Sequence, residues 1–185
     1  MEAQQLDRAR AGDADAMDAL LREIRPLVLR RCARLLPFPQ DAEEAAQDAL
    51  LAVATKLGTF TGTGSFEGWV SVIATNQARM TYRSMKRRYA EIRHDDLPEP
   101  IDPARTSVIA GGRVDLLEAV EALEKAHPES VESFVLRDLA TLTYDEIAQQ
   151  IGAPLGTVKA RIHTARTFLR DQLRTIDNFS STGRI

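Results

Sequence analysis

The chain has 185 residues, of which 44% are hydrophobic and 28% are charged, with a net charge of −3. This length allows one ordinary domain or two small ones, and the hydrophobic fraction excludes disorder throughout. The sequence has no long apolar run and no signal-peptide pattern, which predicts a cytoplasmic protein without a membrane span. A single cysteine, Cys32, excludes an internal disulfide bond and a cysteine-based zinc site.

The first helical pattern lies between Met17 and Leu35, where apolar residues recur every three or four positions. Asp13 or Asp15 is the expected N-cap of this helix. Pro26 lies inside the pattern and predicts a break or a kink, because proline cannot donate the backbone hydrogen bond that a helix requires there.

Two further helices are expected before residue 90. Asp41 and Glu44 form a variant of the capping box, which predicts the start of the second helix. The predicted buried residues of that helix are Ala45, Ala49, Leu50, Val53 and Leu57. After a Gly-rich loop that ends at Ser65, a third helix is expected to continue into a cluster of arginines. Its predicted buried residues are Phe66, Trp69, Val70, Ile73, Ala74, Gln77 and Met80.

The segment from Glu91 to Gly112 has the composition of a linker. It contains three prolines, a Gly-Gly pair and four acidic residues that follow Glu91, with almost no apolar periodicity. We therefore expect neither helix nor strand in this segment. The predicted fold is all-α, with two small helical domains at residues 1–90 and 113–179, a flexible linker at residues 91–112 and a frayed tail at residues 180–185.

The second domain contains a helix-turn-helix pattern. Thr143 and Glu146 form a capping box ahead of a short helix, and Gly152 suits the left-handed position just after it. In the helix that follows, the predicted inward residues are Val158, Ile162, Ala165 and Leu169. The opposite face is basic, as expected for a recognition helix in the DNA major groove, although a helical hairpin without a role in DNA binding would show similar spacing.

Charge is unevenly distributed along the chain. Six basic residues and one acidic residue lie between Ala78 and Arg93, and five basic residues and one acidic residue lie between Leu155 and Arg174. The intervening segment from Asp115 to Gln150 has nine acidic and two basic residues. One basic run usually marks a solvated helix face, whereas two separate runs favour nucleic-acid binding.

Two blocks of motifs resemble the extracytoplasmic-function (ECF) group of bacterial RNA polymerase sigma factors. The first block, similar to region 2 of that family, contains the stretches 41–48, 66–69 and 73–76 and the arginine cluster. The second block, similar to region 4, contains the stretches 135–139, 142–148 and 156–161. The resemblance implies that region 2 binds the clamp helices of the largest subunit of core RNA polymerase and opens the −10 promoter element, while region 4 reads the −35 element as duplex.

The resemblance also assigns roles to individual residues. The expected polymerase contacts are Asp41, Glu44, Gln47 and Asp48, although these residues could instead serve only to keep the helix soluble. The expected −10 contacts are Phe60, Thr61, Ser65, Phe66, Asn76, Arg79, Arg83, Lys86, Arg87 and Arg88. In this group the loop at residues 59–65 and Asn76 would enclose an unstacked base, and the basic residues would bind phosphates. The expected −35 contacts are Gly156, Thr157, Lys159, Ala160, Arg161, His163, Thr164 and Arg166.

No catalytic constellation is recognised, so the protein is not expected to be an enzyme, and no cofactor is expected. The three histidines lie too far apart to form a metal-binding helix pair, so no metal is expected either. The expected partners are core RNA polymerase, promoter DNA and an anti-sigma factor, which could hold the protein at the membrane. Two alternatives remain open: a stand-alone helix-turn-helix regulator that binds duplex DNA without polymerase, and a protein whose helices bind only protein partners.

Overall fold

A computed structural model describes residues 3–95 and 108–182, and within these ranges all regular elements are helical and no strand occurs. The prediction of an all-α fold is therefore confirmed. The α-helices are α1 (Ala3–Arg10), α2 (Ala14–Leu35), α3 (Pro39–Lys56), α4 (Phe66–Asp95), α5 (Val108–Ala126), α6 (Pro128–Phe134), α7 (Tyr144–Ile151) and α8 (Leu155–Thr182). A 3-10 turn lies at Leu57–Thr59, and a π-helical turn lies at Val135–Leu139.

Helices α2, α3 and α4 pack against one another and form the core of the first helical unit. Leu20, Val28, Val53 and Val70 are completely buried in this core. Asp13 is the N-cap of α2, as the sequence predicted, and its side chain accepts a hydrogen bond from the Ala16 amide at 3.0 Å. The periodicity did not predict α1, which packs against α2.

Of the break or kink predicted at Pro26, the break does not occur, because α2 continues from Ala14 to Leu35. Pro26 is exposed, so water can hydrate the Arg22 carbonyl that lacks its helical donor. Ile24 and Val28, on either side of the proline, are buried and stabilise the helix through packing.

The predicted start of α3 is also wrong. The helix begins at Pro39, and Phe38 is the N-cap without a side-chain capping bond. Proline is favoured at the first helical position because its fixed φ suits the helix and its missing donor is not needed there. Asp41 therefore lies within the first turn, where a carboxylate favours the positive end of the helix dipole.

The buried stripe of α4 differs from the predicted one at its C-terminal end. Val70, Ala74, Ala78 and Tyr82 are buried, whereas Met80 is 61% exposed. Around a regular helix, each step of four residues from Val70 to Tyr82 advances by about 40° in one direction, whereas Met80 is rotated from Val70 by about 80° in the opposite direction. Met80 therefore lies outside the stripe that Val70 begins.

Helix extends into both ends of the segment predicted to be a linker. α4 continues to Asp95, and α5 begins at Val108 and includes Gly111 and Gly112. The expectation that no helix persists from Glu91 to Gly112 is wrong at these two ends. Residues 91–95 contain neither proline nor glycine, and at the α5 end each glycine costs a helix only about 1 kcal/mol. The linker prolines lie outside the described residues. Helix α8 likewise reaches Thr182, so the first three residues of the predicted frayed tail are helical.

The second helical unit contains α5 to α8. The capping box of Thr143 and Glu146 is present, and Gly152 ends α7 with φ 62° and ψ 35°, so the predicted helix-turn-helix geometry is confirmed. A small core beneath this motif contains Leu136, Ile147 and Ile162, and Val72 of α4 packs against it. A larger cluster continues from the first unit into α5, α6 and the later part of α8. In the part of the chain that the structure describes, no helix is long and apolar enough to cross a bilayer.

Candidate nucleic-acid interface

The outer face of α3 carries the residues expected to bind polymerase. Glu44, Gln47 and Asp48 are exposed, and Asp41 is half-buried in the first turn. Leu51 is 64% exposed and follows Asp48 by three residues, so it extends the same helix face. Sequence reasoning missed Leu51, although its spacing from Glu44 and Asp48 indicates that it lies on this side.

A groove of about 460 Å³ separates this face of α3 from α4. Glu44 and Asp48 line one side, and Met80, Arg87 and Arg88 are among the residues on the other side. The groove therefore has an acidic wall, a basic wall and an exposed apolar residue. Met80 was predicted to be buried, so its contribution to this surface was also missed.

The loop before α4 is anchored by three aromatic rings. Phe60 packs against Phe66 and Trp69 with centroid distances of 5.4 and 5.6 Å, and Phe66 lies 5.7 Å from Trp69. Phe60 and Phe66 are each 6% exposed, so neither ring is accessible to a base in this conformation. Their assignment as −10 contacts stays a prediction and requires the cluster to open. Trp69 belongs to this core cluster, as its place on the predicted stripe indicated.

The polar part of the same loop contacts the helix-turn-helix. One oxygen of Glu146, Oε1, accepts hydrogen bonds from the Ser65 hydroxyl at 2.7 Å and the Ser65 amide at 3.1 Å. The other oxygen accepts from the Thr143 amide and hydroxyl, both at 2.8 Å. These hydrogen bonds, led by that of the Thr143 amide, lower the pKa of Glu146 to about 2.

Two other predicted −10 contacts are exposed, namely Thr61 in the loop and Asn76 on α4.

The basic residues of α4 form ion pairs with acidic residues of α5. Arg79 and Arg83 both contact Glu124, the former at 3.3 Å. Lys86 Nζ lies 2.9 Å from Glu121 and 3.6 Å from Glu118. These partners were not predicted, although the acidic segment beginning at Asp115 places carboxylates every three residues in sequence.

Arg79 is the most enclosed member of this basic row, with 16% of its side chain exposed. Burial lowers its pKa through desolvation, and the neighbouring carboxylate of Glu124 opposes that shift. The next two predicted phosphate contacts, Arg87 and Arg88, are exposed at the groove described above. The predicted phosphate-binding residues thus divide into three that are paired with carboxylates of α5, of which only Arg79 is enclosed, and two that are exposed at the groove.

The first turns of α8 present the predicted −35 residues on one surface. Gly156, Lys159, Ala160 and His163 are exposed, while Thr157, Arg161 and Thr164 are half-buried. The inward residues Val158, Ile162, Ala165 and Leu169 are all buried, so the predicted helix phase is confirmed. Arg166, the last predicted −35 residue, is instead paired with Asp138, with two hydrogen bonds of 2.6 and 3.0 Å.

The family model for sigma-70 region 2 matches residues 20–88, and the model for sigma-70 region 4 matches residues 115–169. The ECF RNA polymerase sigma factor SigE of Mycolicibacterium smegmatis is 35% identical over 173 residues, which cover 88% of this chain and 64% of SigE. This chain thus spans slightly less than two thirds of that relative.

The ECF RNA polymerase sigma factor ShbA of Streptomyces griseus is 32% identical over 175 residues, which cover 88% of this chain and 90% of ShbA. Among solved structures, CnrH in complex with the cytosolic domain of CnrY matches with a TM-score of 0.53 and 23% identity. That match covers 92% of this chain and 96% of the other, and it shows a shared fold. The chain therefore belongs to the ECF group of RNA polymerase sigma factors, which direct core polymerase to promoters.

Proposed function

We propose that three helices of this sigma factor have separate binding roles. The outer face of α3 binds the clamp helices of the polymerase largest subunit, α4 and the preceding loop open the −10 element, and α8 reads the −35 element. The observation that carries the proposal is the recognition helix, whose first turns expose Lys159, Ala160 and His163 above a buried Val158 and Ile162. A helix N-terminus with exposed basic residues suits the major groove of duplex DNA.

The polymerase contact combines charge with apolar area. Asp48 can accept charge-assisted hydrogen bonds from arginines of a partner helix. Leu51 and Met80 supply exposed apolar surface next to Asp48 and the α3–α4 groove. Burial of this surface by a partner contributes favourably to the free energy of binding. We therefore add Leu51 and Met80 to the proposed docking surface.

The −10 contact combines base recognition with phosphate binding. Asn76 is exposed on α4 and its amide can form hydrogen bonds with the edge of an unstacked base. Arg79, Arg83, Lys86, Arg87 and Arg88 lie after it on the same helix and supply positive charge for the separated strands. The two glycines of the loop, Gly62 and Gly64, have positive φ and let its backbone approach a base closely.

We also propose an anti-sigma factor as a protein partner and the cytoplasm as the place of action, both on the ground of family membership.

Binding of the α3 face to polymerase can be tested by titrating the full chain with purified core polymerase and measuring promoter-directed transcription. We expect Asp48→Arg to weaken polymerase binding about tenfold or more, which corresponds to about 1.4 kcal/mol.

Asp18→Arg is a matched control, because it makes the same charge change on an exposed position of α2. It should leave polymerase binding within about twofold of the wild type. If the two variants bind polymerase equally, α3 is not the docking helix. Tight and specific binding of a duplex promoter by the chain without polymerase would favour a stand-alone regulator instead.

A further inference from the structure

The last residue of α1 contacts the loop at residues 59–65. Arg10 donates a hydrogen bond from Nη2 to the Phe60 carbonyl, and its guanidinium carbon lies 6.0 Å from the centroid of the Phe60 ring. A charged donor on a carbonyl and a cation near an aromatic face both stabilise this arrangement. One side chain thus contacts the backbone and the ring of a residue 50 positions later in the sequence, where the loop leaves the 3-10 turn.

The helix that carries Arg10 is itself fixed to the first helical unit. Ala9 is buried in the core of that unit, and Leu6 packs against the same core. Arg8 Nη2 lies 2.7 Å from Asp13, which is the N-cap of α2, so the end of α1 is paired with the start of the next helix. The guanidinium of Arg10 therefore extends from a helix that the core holds in place.

The opposite end of the loop is fixed by Ser65. Its hydroxyl accepts a hydrogen bond from the Gly68 amide at 3.1 Å, and its carbonyl accepts one from the Trp69 amide at 3.0 Å. Ser65 therefore caps the start of α4. Between the two ends, residues 61–64 are exposed, and the Thr61 hydroxyl donates to that of Thr63 at 3.0 Å. The shape of this exposed stretch depends on how its two ends are held.

The Phe60 ring connects the contact of Arg10 to α4. The ring packs against Phe66 and Trp69 at the start of that helix. Trp69 and Asn76 are seven residues apart, so they lie on the same side of α4, about 10 Å apart along the helix axis. The aromatic cluster therefore holds the first end of the loop at a fixed place relative to the side chain that the proposed function assigns to base recognition.

We propose that Arg10 is a positioning residue for −10 recognition, which acts through Phe60 to hold the loop at residues 59–65 in a shape that can enclose an unstacked base near Asn76. This inference rests on the proposed function of the loop and of Asn76. A loop that is ordered before binding loses less conformational entropy when the base enters. Without Arg10 the exposed stretch samples more conformations, and the part of the affinity that depends on the base falls.

An exposed arginine next to such a loop could instead bind a phosphate directly. The two roles give different results. A lost phosphate contact weakens binding to all sequences and reduces the salt dependence by about one contact. A lost positioning contact reduces discrimination between −10 sequences and leaves the salt dependence unchanged.

The test compares the full-length wild type with Arg10→Ala. The matched control is Arg34→Ala, which removes the same charge from an exposed position of α2. The aromatic cluster is monitored by acrylamide quenching of Trp69, the only tryptophan in the sequence. Discrimination is measured with each chain bound to core polymerase, as the ratio of affinities for two promoter fragments with unpaired −10 strands that differ by one −10 base. The ratio is determined at two salt concentrations.

We expect Arg10→Ala to reduce the ratio about threefold to tenfold, to leave the salt dependence unchanged and to raise the quenching of Trp69, while the control follows the wild type. An unchanged or increased ratio would overturn the inference. A reduced salt dependence would show a phosphate contact and would overturn it too. A lower ratio with unchanged Trp69 quenching would mean that Arg10 does not act through the aromatic cluster, which also contradicts the inference. Circular dichroism verifies that both variants are folded.

Asn76→Ala separates this inference from the proposed function. If Asn76→Ala reduces the ratio and Arg10→Ala does not, the proposed function stands and only the role of Arg10 is wrong. If Asn76→Ala leaves the ratio unchanged while Arg10→Ala still raises the quenching of Trp69, the contact exists but Asn76 reads no base. That result contradicts the proposed function, and with it the role of Arg10. If both roles are correct, the double variant should lose less discrimination than the product of the two single losses, because both residues act on the same base.

Discussion

Arg166 of α8 donates two hydrogen bonds to Asp138, from Nε at 3.0 Å and from Nη2 at 2.6 Å. The pair connects the middle of the recognition helix to the π-helical turn at Val135–Leu139. Asp138 raises the pKa of Arg166 chiefly through these hydrogen bonds. The sequence placed Arg166 among the −35 contacts, and the pairing indicates a role in holding α8 in place.

We therefore expect Arg166→Ala and Arg161→Ala to differ. Arg166→Ala removes a partly exposed ion pair and should lower the free energy of unfolding by about 0.5–1 kcal/mol. Arg161→Ala should leave stability unchanged but reduce −35-dependent transcription about tenfold, as expected for the loss of a base contact. Urea unfolding and transcription with core polymerase measure the two effects. If Arg166→Ala reduces transcription as much as Arg161→Ala without loss of stability, Arg166 reads DNA.

The helix phase of α8 can be tested with Ile162→Asp. Ile162 is almost completely buried beside Ile147 and Val158, so a carboxylate there has no partner and should unfold the helix-turn-helix. Ala160→Asp is the matched control, because residue 160 is exposed. We expect the control to stay folded by circular dichroism and to lose duplex binding through repulsion of phosphates. Tolerance of Ile162→Asp would mean that the inward face is wrongly assigned.

Base reading and phosphate binding on α4 can be separated with Asn76→Ala and Arg87→Ala. Asn76→Ala should reduce discrimination among −10 sequences. Arg87→Ala should weaken binding to all sequences and reduce the salt dependence by about one phosphate contact. Both are measured by open-complex formation on two promoters at two salt concentrations. Equal losses for both variants on every promoter would show that Asn76 reads no base.

The stability of the protein should depend on pH through Glu146. Its pKa is about 2 in the folded state against an ordinary 4.5, so the carboxylate stabilises the fold above pH 4.5. This contribution declines as the pH falls from about 4.5 to about 2. We expect Glu146→Gln to lower the free energy of unfolding by about 1–2 kcal/mol at pH 7, with a difference that shrinks below pH 4.5. Thermal unfolding of the wild type and of Glu146→Gln across this pH range measures the difference in stability, and Glu132→Gln is the control. A difference in the free energy of unfolding that is the same at all pH values would exclude the charge of Glu146 as its cause.

Cys32 should react with thiol reagents only when the first helical unit opens. Its side chain is completely buried, its Sγ lies 3.7 Å from the Ala74 carbonyl, and burial raises the pKa of the thiol to about 12. Because the thiolate is the reactive form, labelling in native buffer should be at least about a hundredfold slower than in urea. The accessibility of Cys32 is measured by the rate of its labelling with an aromatic disulfide in native buffer and in urea. Rapid labelling without urea would mean that α2 and α4 separate frequently.

Local signals were sufficient to predict the helix-turn-helix. The Thr143 and Glu146 cap, the turn at Gly152 and the spacing of Val158 and Ile162 depend on residues within a few positions of one another. The structure confirms each of them. The exposed surface of α8 follows from that spacing, because a helix that buries one face must present the other.

Features that depend on packing between distant segments were not predictable in the same way. Charge patterns in the sequence indicate that acidic and basic helices exist, but they do not indicate that Glu124 contacts Arg79 and Arg83. These partners are separated by 45 and 41 residues and meet only when α5 packs along α4. Phe60 is a related case, because its burial depends on the rings of the following helix.

The shared carboxylate of Glu146 also constrains how this protein can evolve. One oxygen caps α7 and the other holds Ser65, so a substitution that suits a new loop would also change the start of the helix-turn-helix. An aspartate at 146 is shorter by one methylene and could not keep both contacts in place. We expect positions 65 and 146 to change together among descendants of this chain, which would couple the divergence of its two promoter-binding regions.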